Sequence, residues 1–517
     1  MEQKVHELKL INKLGFSCYQ LSTVTDTLVN AWQMYFYTTF CNISIAFVAS
    51  VLAASKLISA FLTPILGSVS DHLYQTKFGR RFGRRKSMLL IAIPWKVGVF
   101  PLYWIPNMPT WYYVGLLLLT SFVNPLAIVS QGTFAAEMAR TPSEKAQLAG
   151  MNQVGAAIAG IASSMATVYF FDAFGSDNPT TFFIAALVYD AVSLLMLILF
   201  YLSVFERPVD PKFLAEEMAK NKKEKHSFVK SFRIIVRDFR SAIQLRAYRL
   251  YLCMYLSEQM FRSLAGTINT YFIVFVLMLD PKVVSVSTAM GFVFGMCFLG
   301  FHIWLTAKTN GNVTYRIGGI AAIAILVGFF YLGVELPPNT ELLLIIFIVA
   351  MNFGKAGLVN AMQYTFAFIP DIDEVLTAHR REGVYSGVNN FLDVLFTTLE
   401  VVVIGFLLEA TGFVKNSQTQ PDATVDALLI LYTVVPIVII SFGLLVTFRF
   451  HLNQHNHKLL VTEVARLKNG GSKADVDSET KRVVEDLTGH SYEECWGNND
   501  MLQVADVQGS AAGSAVK

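Results

Sequence analysis

Long apolar stretches alternate with short polar stretches along most of the chain. Twelve of the apolar stretches have about 20 residues or more, the length that an α-helix needs to cross a lipid bilayer. They run over residues 14–40, 43–69, 87–105, 111–138, 146–171, 181–205, 250–278, 284–306, 317–336, 341–369, 384–411 and 426–448. This pattern predicts an all-α polytopic membrane protein with twelve transmembrane helices.

The polar segments divide the predicted spans into two sets of six. Residues 206–249 form the longest internal polar segment and carry twelve Lys/Arg against six Asp/Glu. The pattern predicts an N-terminal six-helix half over 1–205, a basic linker over 206–249, a C-terminal six-helix half over 250–450 and a polar tail over 451–517. Within that tail, Asp477 is a typical N-cap for a short helix at Ser478 to Leu487.

Basic residues are concentrated in the loops on one side of the predicted bundle. The loop after the second span, GSVSDHLYQTKFGRRFGRRK at 67–86, has six Lys/Arg and one Asp. The predicted loops on the opposite side contain only Lys282 and Lys415 as basic residues. Because basic loops remain in the cytoplasm, we expect the linker, the tail and both termini to be cytoplasmic, with the protein in the cell (inner) membrane.

Composition agrees with a membrane protein and argues against several other classes. Of 517 residues, 54% are hydrophobic and 15% are charged, against roughly 25% charged in a soluble domain. The net charge of +3 and the lack of a basic stripe argue against nucleic-acid binding. The sequence has no CxxC pair, no phosphate-binding glycine loop and no nucleophile beside a base. We therefore expect no metal, no cofactor apart from a coupling ion, and no enzymatic activity.

The first predicted span carries a polar stripe. Its members recur at steps of seven, four, three and four, and so share one helix face: Tyr19, Asp26, Asn30, Gln33 and Tyr37. A charge at the bilayer centre costs about 2.5 to 3.5 kcal/mol, so such residues face a cavity or a partner. We interpret the stripe as part of a substrate pathway, where hydroxyls and amides bind the solute; a helix-packing seam is the alternative.

Polar residues also recur on single faces of the fourth, seventh, tenth and eleventh spans. Those that we assign to the same substrate pathway are Asn124, Gln131, Arg262, Asn269, Lys355, Gln363 and Asn389. Glu258 lies one helical turn before Arg262, close enough for an ion pair. The role of that pair stays open between a structural salt bridge and a direct contact with the substrate.

Charged residues predicted to lie deep in the membrane nearly balance. They are Lys56, Lys96, Arg262 and Lys355 against Asp26, Asp190, Glu258, Asp393 and Glu400. Asp393 and Glu400 share a narrow sector of the eleventh span, and one of them would carry a proton, titrating against Lys355, or coordinate sodium. The second-span residues that we group with them as candidates for cation coupling are Lys56, Ser59 and Thr63. The alternative is that these charges only pair to stabilise one gate conformation.

Two stretches resemble one family of transporters. After the second span, a Gly, an Asp four residues later and a Gly-Arg-Arg occur as Gly67, Asp71, Gly79, Arg80 and Arg81. Before the eleventh span, residues 370–390 read PDIDEVLTAHRREGVYSGVNN. Together with the twelve-span pattern over residues 10–450, these motifs resemble the glycoside-pentoside-hexuronide cation symporters, the melibiose permease family of the major facilitator superfamily.

The resemblance implies the major facilitator fold and alternating access, in which a sugar, glycoside or hexuronide crosses the membrane with a cation, H+ or Na+. It also implies a charged gate, for which the candidates are Asp71, Arg80, Arg81, Asp371, Asp373, Arg380 and Arg381. The expected partners are a small-molecule sugar, a monovalent cation and the lipid bilayer, and we expect a monomer. A lysolipid or other amphiphile transporter of the same superfamily and a sugar uniporter are the alternatives.

The second span departs from the family pattern. Sodium-coupled members place two aspartates four residues apart before a proline, and Ser59 and Thr63 stand at those positions before Pro64. Hydroxyls contribute oxygen ligands to sodium but cannot neutralise its charge. The family's sugar-binding aspartate of the first span aligns with Thr23, and Asp26 follows almost one turn later. The coupling ion therefore stays open between H+ and Na+.

Overall fold

The described part of the chain is helical and contains no strand. The computed structural model describes residues 9–73, 76–139, 142–206, 239–417 and 419–498. The helices of the N-terminal half are α1 (Leu10–Leu21), α2 (Val24–Thr39), α3 (Ile45–His72), α4 (Lys77–Phe82), α5 (Arg84–Val99), α6 (Thr110–Met138), α7 (Pro142–Phe174) and α8 (Pro179–Ser203). Those of the C-terminal half are α9 (Arg246–Tyr271), α10 (Lys282–Lys308), α11 (Gly311–Glu335), α12 (Thr340–Phe366), α13 (Ile369–Thr377), α14 (Glu382–Ala410), α15 (Asp422–Tyr432) and α16 (Val434–Thr447). The tail adds α17 (Gln454–Lys468) and α18 (Ser478–Thr488).

Ten stretches of these described helices are long and apolar enough to cross a membrane. They correspond to the second to sixth and the eighth to twelfth predicted spans. The first span is the α1 and α2 pair, and the seventh is α9, which is less apolar because it carries charged residues such as Glu258 and Arg262. With these two, the helices make twelve crossings in two sets of six, which confirms the predicted all-α fold.

Three spans are interrupted where the sequence predicts continuous helices. The first breaks at Ser22 and Thr23, whose hydroxyls donate to carbonyl oxygens three residues earlier, at 2.6 and 2.7 Å. The twelfth breaks at Thr433, whose hydroxyl donates to the Leu429 carbonyl at 2.6 Å. The seventh ends in a π-helical turn over Phe272–Val276. Hydrogen bonds from hydroxyl side chains to the backbone, as at Ser22, Thr23 and Thr433, compete with the backbone hydrogen bonds of a helix. A hydropathy pattern does not detect them.

The two ends of the bundle differ in charge. Asn12, near the start of α1, donates to the carbonyl of Ser203 at the end of α8, at 2.8 Å, so these two helix ends lie together. We call this the basic end, because it also carries Arg80 and Arg81 on the short helix α4. We call the other end of the bundle, where α2 and α9 end, the opposite end. The last residues of the predicted linker, from Arg246 onward, already belong to α9.

Helices of the two halves approach closely along two seams, α3 against α14 and α7 against α10. At Gly405 of α14, a Cβ atom would lie 2.5 Å from the Cβ atom of Ala49 in α3. At Gly160 of α7, a Cβ atom would lie 2.3 Å from the ring of Phe292 in α10. The glycines therefore allow the close approach, as small residues do at helix interfaces in membranes.

Hydrogen bonds join the halves at the opposite end. The hydroxyls of Thr38 and Tyr271 are 3.0 Å apart, and the Thr270 hydroxyl donates to the Ala31 carbonyl at 2.6 Å. The backbone amide of Asn416 donates to the Thr38 carbonyl at 2.9 Å. We call this set of contacts between the two halves the closure of the opposite end.

The described part of the tail, residues 451–498, is folded. Asp477 caps α18 by accepting hydrogen bonds from the amides of Glu479 and Thr480, at 2.8 and 3.1 Å. The helix that it caps, Ser478–Thr488, confirms the sequence prediction within one residue. Hydrogen bonds from the side chain and the amide of Thr480 hold the pKa of Asp477 below its ordinary value.

Candidate transport pathway

A cavity of about 200 Å³, lined by apolar and some polar side chains, lies among the helices of the N-terminal half. Four predicted residues line it: Asp26 and Gln33 of α2, Lys56 of α3 and Asn124 of α6. The wall also contains the aromatic side chains of Trp95, Phe100 and Tyr103. Hydroxyl-bearing ligands are bound by a few polar groups among apolar and aromatic ones, and this cavity has that composition.

Two further charges face the same cavity, Lys96 of α5 and Asp190 of α8. Lys96 interacts electrostatically with Asp26, and its ammonium lies 5.9 Å from the ring centre of Tyr19. The sequence places both charges in the membrane but does not assign them to a site. A lone charge inside an apolar span was the signal that could have identified them.

The first-span stripe divides between the cavity and helix packing. Asp26 and Asn30 are exposed, and Asp26 lines the cavity, whereas Tyr37 is buried, with its ring centre 4.8 Å from that of Tyr113. The Gln33 amide donates to the Tyr37 hydroxyl at 3.3 Å. The stripe thus contains both a cavity lining and a packing seam, which the sequence had left as alternatives.

Charges from both halves meet between α3 and α14. Lys56 of the N-terminal half interacts electrostatically with Glu400 and Asp393 of the C-terminal half. Glu400 is 9% exposed, and Ser263 of α9 lies beside its carboxylate. The candidate coupling carboxylates therefore face Lys56, whereas Lys355 interacts electrostatically with Arg262.

The seventh span supplies a second charge pair. Arg262 and Glu258 form the predicted ion pair, with 3.6 Å between Nε and Oε1. Glu258 is buried, whereas the Arg262 side chain is 54% exposed and also donates to Gln259. Arg262 interacts electrostatically with Asp393 as well. The pair is therefore connected to the carboxylates of α14.

Lys355 of α12 differs from the other deep cations. Its ammonium lies 5.9 Å from the ring centre of Phe261, and its charged neighbour is Arg262. Within the described ranges, no carboxylate lies within 4.0 Å of that ammonium, whereas Arg262 has Glu258 at 3.6 Å. Because a cation in a membrane interior needs a partner, Lys355 is a position at which a bound anion would be stabilised.

The second-span hydroxyls are already engaged with backbone. Ser59 donates to the Ser121 carbonyl at 3.0 Å, and Thr63 donates to the Ser59 carbonyl at 2.7 Å. The hydroxyl oxygens keep lone pairs, but none of the described side chains of α3 beside them is a carboxylate. Cation coupling through these residues stays a prediction.

The remaining predicted pathway residues lie at different depths. Asn389 is buried and accepts from Tyr248 at 2.8 Å while donating to Tyr251 at 3.2 Å, so it joins α14 to α9. Asn269 accepts from Tyr432 at 3.0 Å. Gln131 is half-buried, and Gln363 is exposed.

The predicted gate residues of the C-terminal half form ion pairs at the basic end. Arg381 binds the fully buried Asp373 through two hydrogen bonds, at 2.6 and 2.8 Å. Arg380 pairs with Asp371 at 3.0 Å. In the N-terminal half, Arg80 and Arg81 are exposed on α4. The side chain of Asp71 lies outside the described part of the structure, so its gate role stays a prediction.

Twelve crossings in two six-helix halves, joined around a polar interior, define a transporter of the major facilitator fold. The chain belongs to the family described as MFS/sugar transport protein, whose model matches residues 20–454. This agrees with the resemblance to the glycoside-pentoside-hexuronide symporters. The protein is therefore a secondary transporter.

Individual relatives are similar over most or part of the chain. The "Uncharacterized symporter YnaJ" of Bacillus subtilis (strain 168) is 21% identical over 485 residues, which cover 90% of this chain and 96% of that protein. The "Isoprimeverose transporter" of Lactiplantibacillus pentosus is 28% identical over 203 residues, which cover 37% of this chain and 40% of that protein. The crystal structure of a D-xylose-proton symporter superposes with a TM-score of 0.55 at 14% identity, covering 86% of this chain and 96% of that one, which shows the fold alone.

Proposed function

We propose that the protein is a proton-coupled symporter for an acidic sugar or glycoside, such as a hexuronide, and that it works by alternating access. The family description and the names of the relatives support a sugar as the solute and symport as the mode. The arrangement of deep charges supports a proton as the coupling ion and an acidic group on the solute. It is the observation on which the proposal rests.

Six deep charged groups are linked by electrostatic interactions, one cation from the N-terminal half and two cations and three carboxylates from the C-terminal half. They are Lys56, Arg262, Lys355, Glu258, Asp393 and Glu400. The formal charges of these six groups sum to zero when all are ionised, whereas Lys96, Asp26 and Asp190 of the N-terminal cavity add a separate net charge of −1. An acidic sugar adds one negative charge, and one proton, which we assign to Glu400, returns the net charge to its value without solute. Because an unbalanced charge is costly in a closed, dry interior, sugar and proton would be carried together.

The cavity and the C-terminal cations would bind different parts of the solute. The amides of Gln33 and Asn124 and the carboxylate of Asp26 would bind sugar hydroxyls, and Trp95 would pack against the apolar face of the ring. Lys355 would bind the acidic group, with Arg262 beside it.

Sodium remains the competing coupling ion. It would use the oxygens of Ser59 and Thr63, which donate to backbone carbonyls and lack a neighbouring aspartate on α3. Proton transfer needs only a carboxylate that can take up and release a proton, and Glu400 lies at the interface with Lys56 as its cationic partner. The geometry therefore favours H+.

We also place the basic end and both termini in the cytoplasm of the cell (inner) membrane, with the protein acting as a monomer. The basic residues Arg80, Arg81, Arg380 and Arg381 lie at that end, and basic segments remain on the cytoplasmic side. Protease accessibility of the tail in sealed vesicles of known orientation tests this topology.

Uptake into proteoliposomes tests the transport proposal. Labelled nitrophenyl glucuronide and its neutral counterpart, nitrophenyl glucoside, share an aglycone and differ in the acid group. We expect an imposed proton gradient, and not a sodium gradient, to concentrate the glucuronide. Glu400→Gln should abolish accumulation, whereas the same change at the exposed Glu335 should not. Undiminished accumulation in the Asp393→Asn, Glu400→Gln double variant would rule out coupling through these carboxylates.

A further inference from the structure

The tail packs as a small helical unit on the C-terminal half. Leu460 and Val464 of α17 and Val484 and Leu487 of α18 are buried. Arg246, at the start of α9, donates to the carboxylate of Asp486 in α18, at 2.5 Å. The tail therefore has an apolar interior and a defined contact with the start of α9.

The last described turn of the tail caps the short helix α13. A helix leaves its last carbonyl groups without partners inside the helix. The amide of Trp496 donates to the Val375 carbonyl at 2.8 Å, and the amide of Gly497 donates to the Leu376 carbonyl at 3.0 Å. Val375 and Leu376 are fully buried. The tail thus supplies the donors that this buried helix end requires.

The capping turn has a backbone conformation that most residues adopt only rarely. Trp496 has φ 57° and Gly497 has φ 77°, both in the left-handed region. That region suits glycine but is unfavourable for tryptophan, so its contacts hold Trp496 there. Trp496 and Gly497 adopt this conformation at the point where their amides bind the carbonyls of α13. We therefore regard the turn as a specific docking contact.

The tail also contacts the acidic cluster of α13 through polar side chains. Lys468 of α17 binds Glu374 at 2.7 Å, and His457 of α17 contacts Asp371 at 2.8 Å. The third carboxylate of the cluster, Asp373, is held by Arg381 from the other side. The helix that carries the predicted gate carboxylates is therefore held between the tail and the start of α14.

We infer that the tail is a positioning element of the gate: by binding the end and the carboxylates of α13, it holds the Asp373 and Arg381 pair in place. This inference goes beyond the proposed function, because it concerns how fast the gate changes conformation and not what is carried. Weakening the tail contact should loosen α13 and slow the transport cycle without changing the affinity for the solute.

Charge reversal at Lys468 tests the inference in the full-length protein. Lys468→Glu places a negative charge against Glu374. Lys481→Glu is a matched control, because Lys481 binds Glu493 at the same 2.7 Å within the tail. Hydrogen exchange in nanodiscs is measured on the peptide that covers residues 369–377. We expect exchange to be about tenfold faster in Lys468→Glu and unchanged in the control.

A compensating variant separates positioning from loss of folding. Adding Glu374→Gln to Lys468→Glu removes the like-charge contact without placing a cation beside Arg380, which lies 4.0 Å from Glu374, and we expect it to restore slow exchange. In the transport assay, Lys468→Glu should lower Vmax with KM unchanged. Equal exchange in Lys468→Glu and the control, or no recovery in the double variant, would overturn the inference. The exchange measurement uses no solute, so its outcome is independent of the proposed substrate.

Discussion

Tyr271→Phe should weaken the closure of the opposite end. The substitution removes the hydroxyl that lies 3.0 Å from Thr38, and the remaining phenyl ring can keep its packing against Tyr35. Thr38 stays hydrogen-bonded, because its hydroxyl also lies 3.1 Å from the carbonyl oxygens of Met34 and Tyr35. The loss is therefore that of one neutral hydrogen bond, about 0.6 to 1.5 kcal/mol. At about 1.4 kcal/mol per factor of ten, the ratio of open to closed protein should rise roughly threefold to twelvefold.

Electron–electron distance measurements between two spin labels can detect this change. Met108 and Glu335 are exposed at the opposite end, one in each half, and bioorthogonal side chains there leave the native cysteines unlabelled. We expect Tyr271→Phe to increase the population with the longer distance. Tyr189→Phe is the control, because the Tyr189 hydroxyl bonds to Ser163 within the N-terminal half. Equal distance distributions in the two variants would refute the assignment of this hydrogen bond to the closure.

Three further predictions follow from single contacts. Gly405→Val should also favour the open opposite end in the same distance measurement, because its Cβ atom would lie 2.5 Å from that of Ala49; Gly115→Val, where a Cβ atom meets nothing within 4 Å, should not. Lys355→Met should raise KM for nitrophenyl glucuronide about tenfold or more and leave that for nitrophenyl glucoside unchanged; equal changes for both solutes would contradict an acid-binding role. Asp477→Ala should speed hydrogen exchange in α18, whereas Asp477→Asn, which also caps helices, should retain slow exchange; equal exchange in both would show that the cap is dispensable.

The sequence predicts the features that depend on local pattern. A run of apolar residues of membrane-crossing length identifies a span whatever its neighbours are, so most spans are found to within a few residues. The same holds for Asp477, because an N-cap acts on amides two and three residues away. The ion pair of Glu258 and Arg262 is equally local, because the two residues are one helical turn apart.

Features that depend on distant parts of the chain were not predictable from one sequence. The interaction of Lys56 with Glu400 joins the two halves, and periodicity within one helix contains no information on a partner in another. Docking of Trp496 on α13 depends on a left-handed tryptophan, which no propensity favours. The break at Ser22 and Thr23 escapes a hydropathy pattern, because hydroxyls bonded to their own helix are tolerated within an apolar span.

Proton movement coupled to sugar movement is the central claim, and a pH electrode measures it directly. Proteoliposomes in a weakly buffered medium, with no gradient imposed, receive nitrophenyl glucuronide while the external pH is recorded. The account predicts a transient rise in external pH as protons enter with the sugar, and no rise with Glu400→Gln. Uptake of the labelled glucuronide without any change in external pH would contradict proton symport.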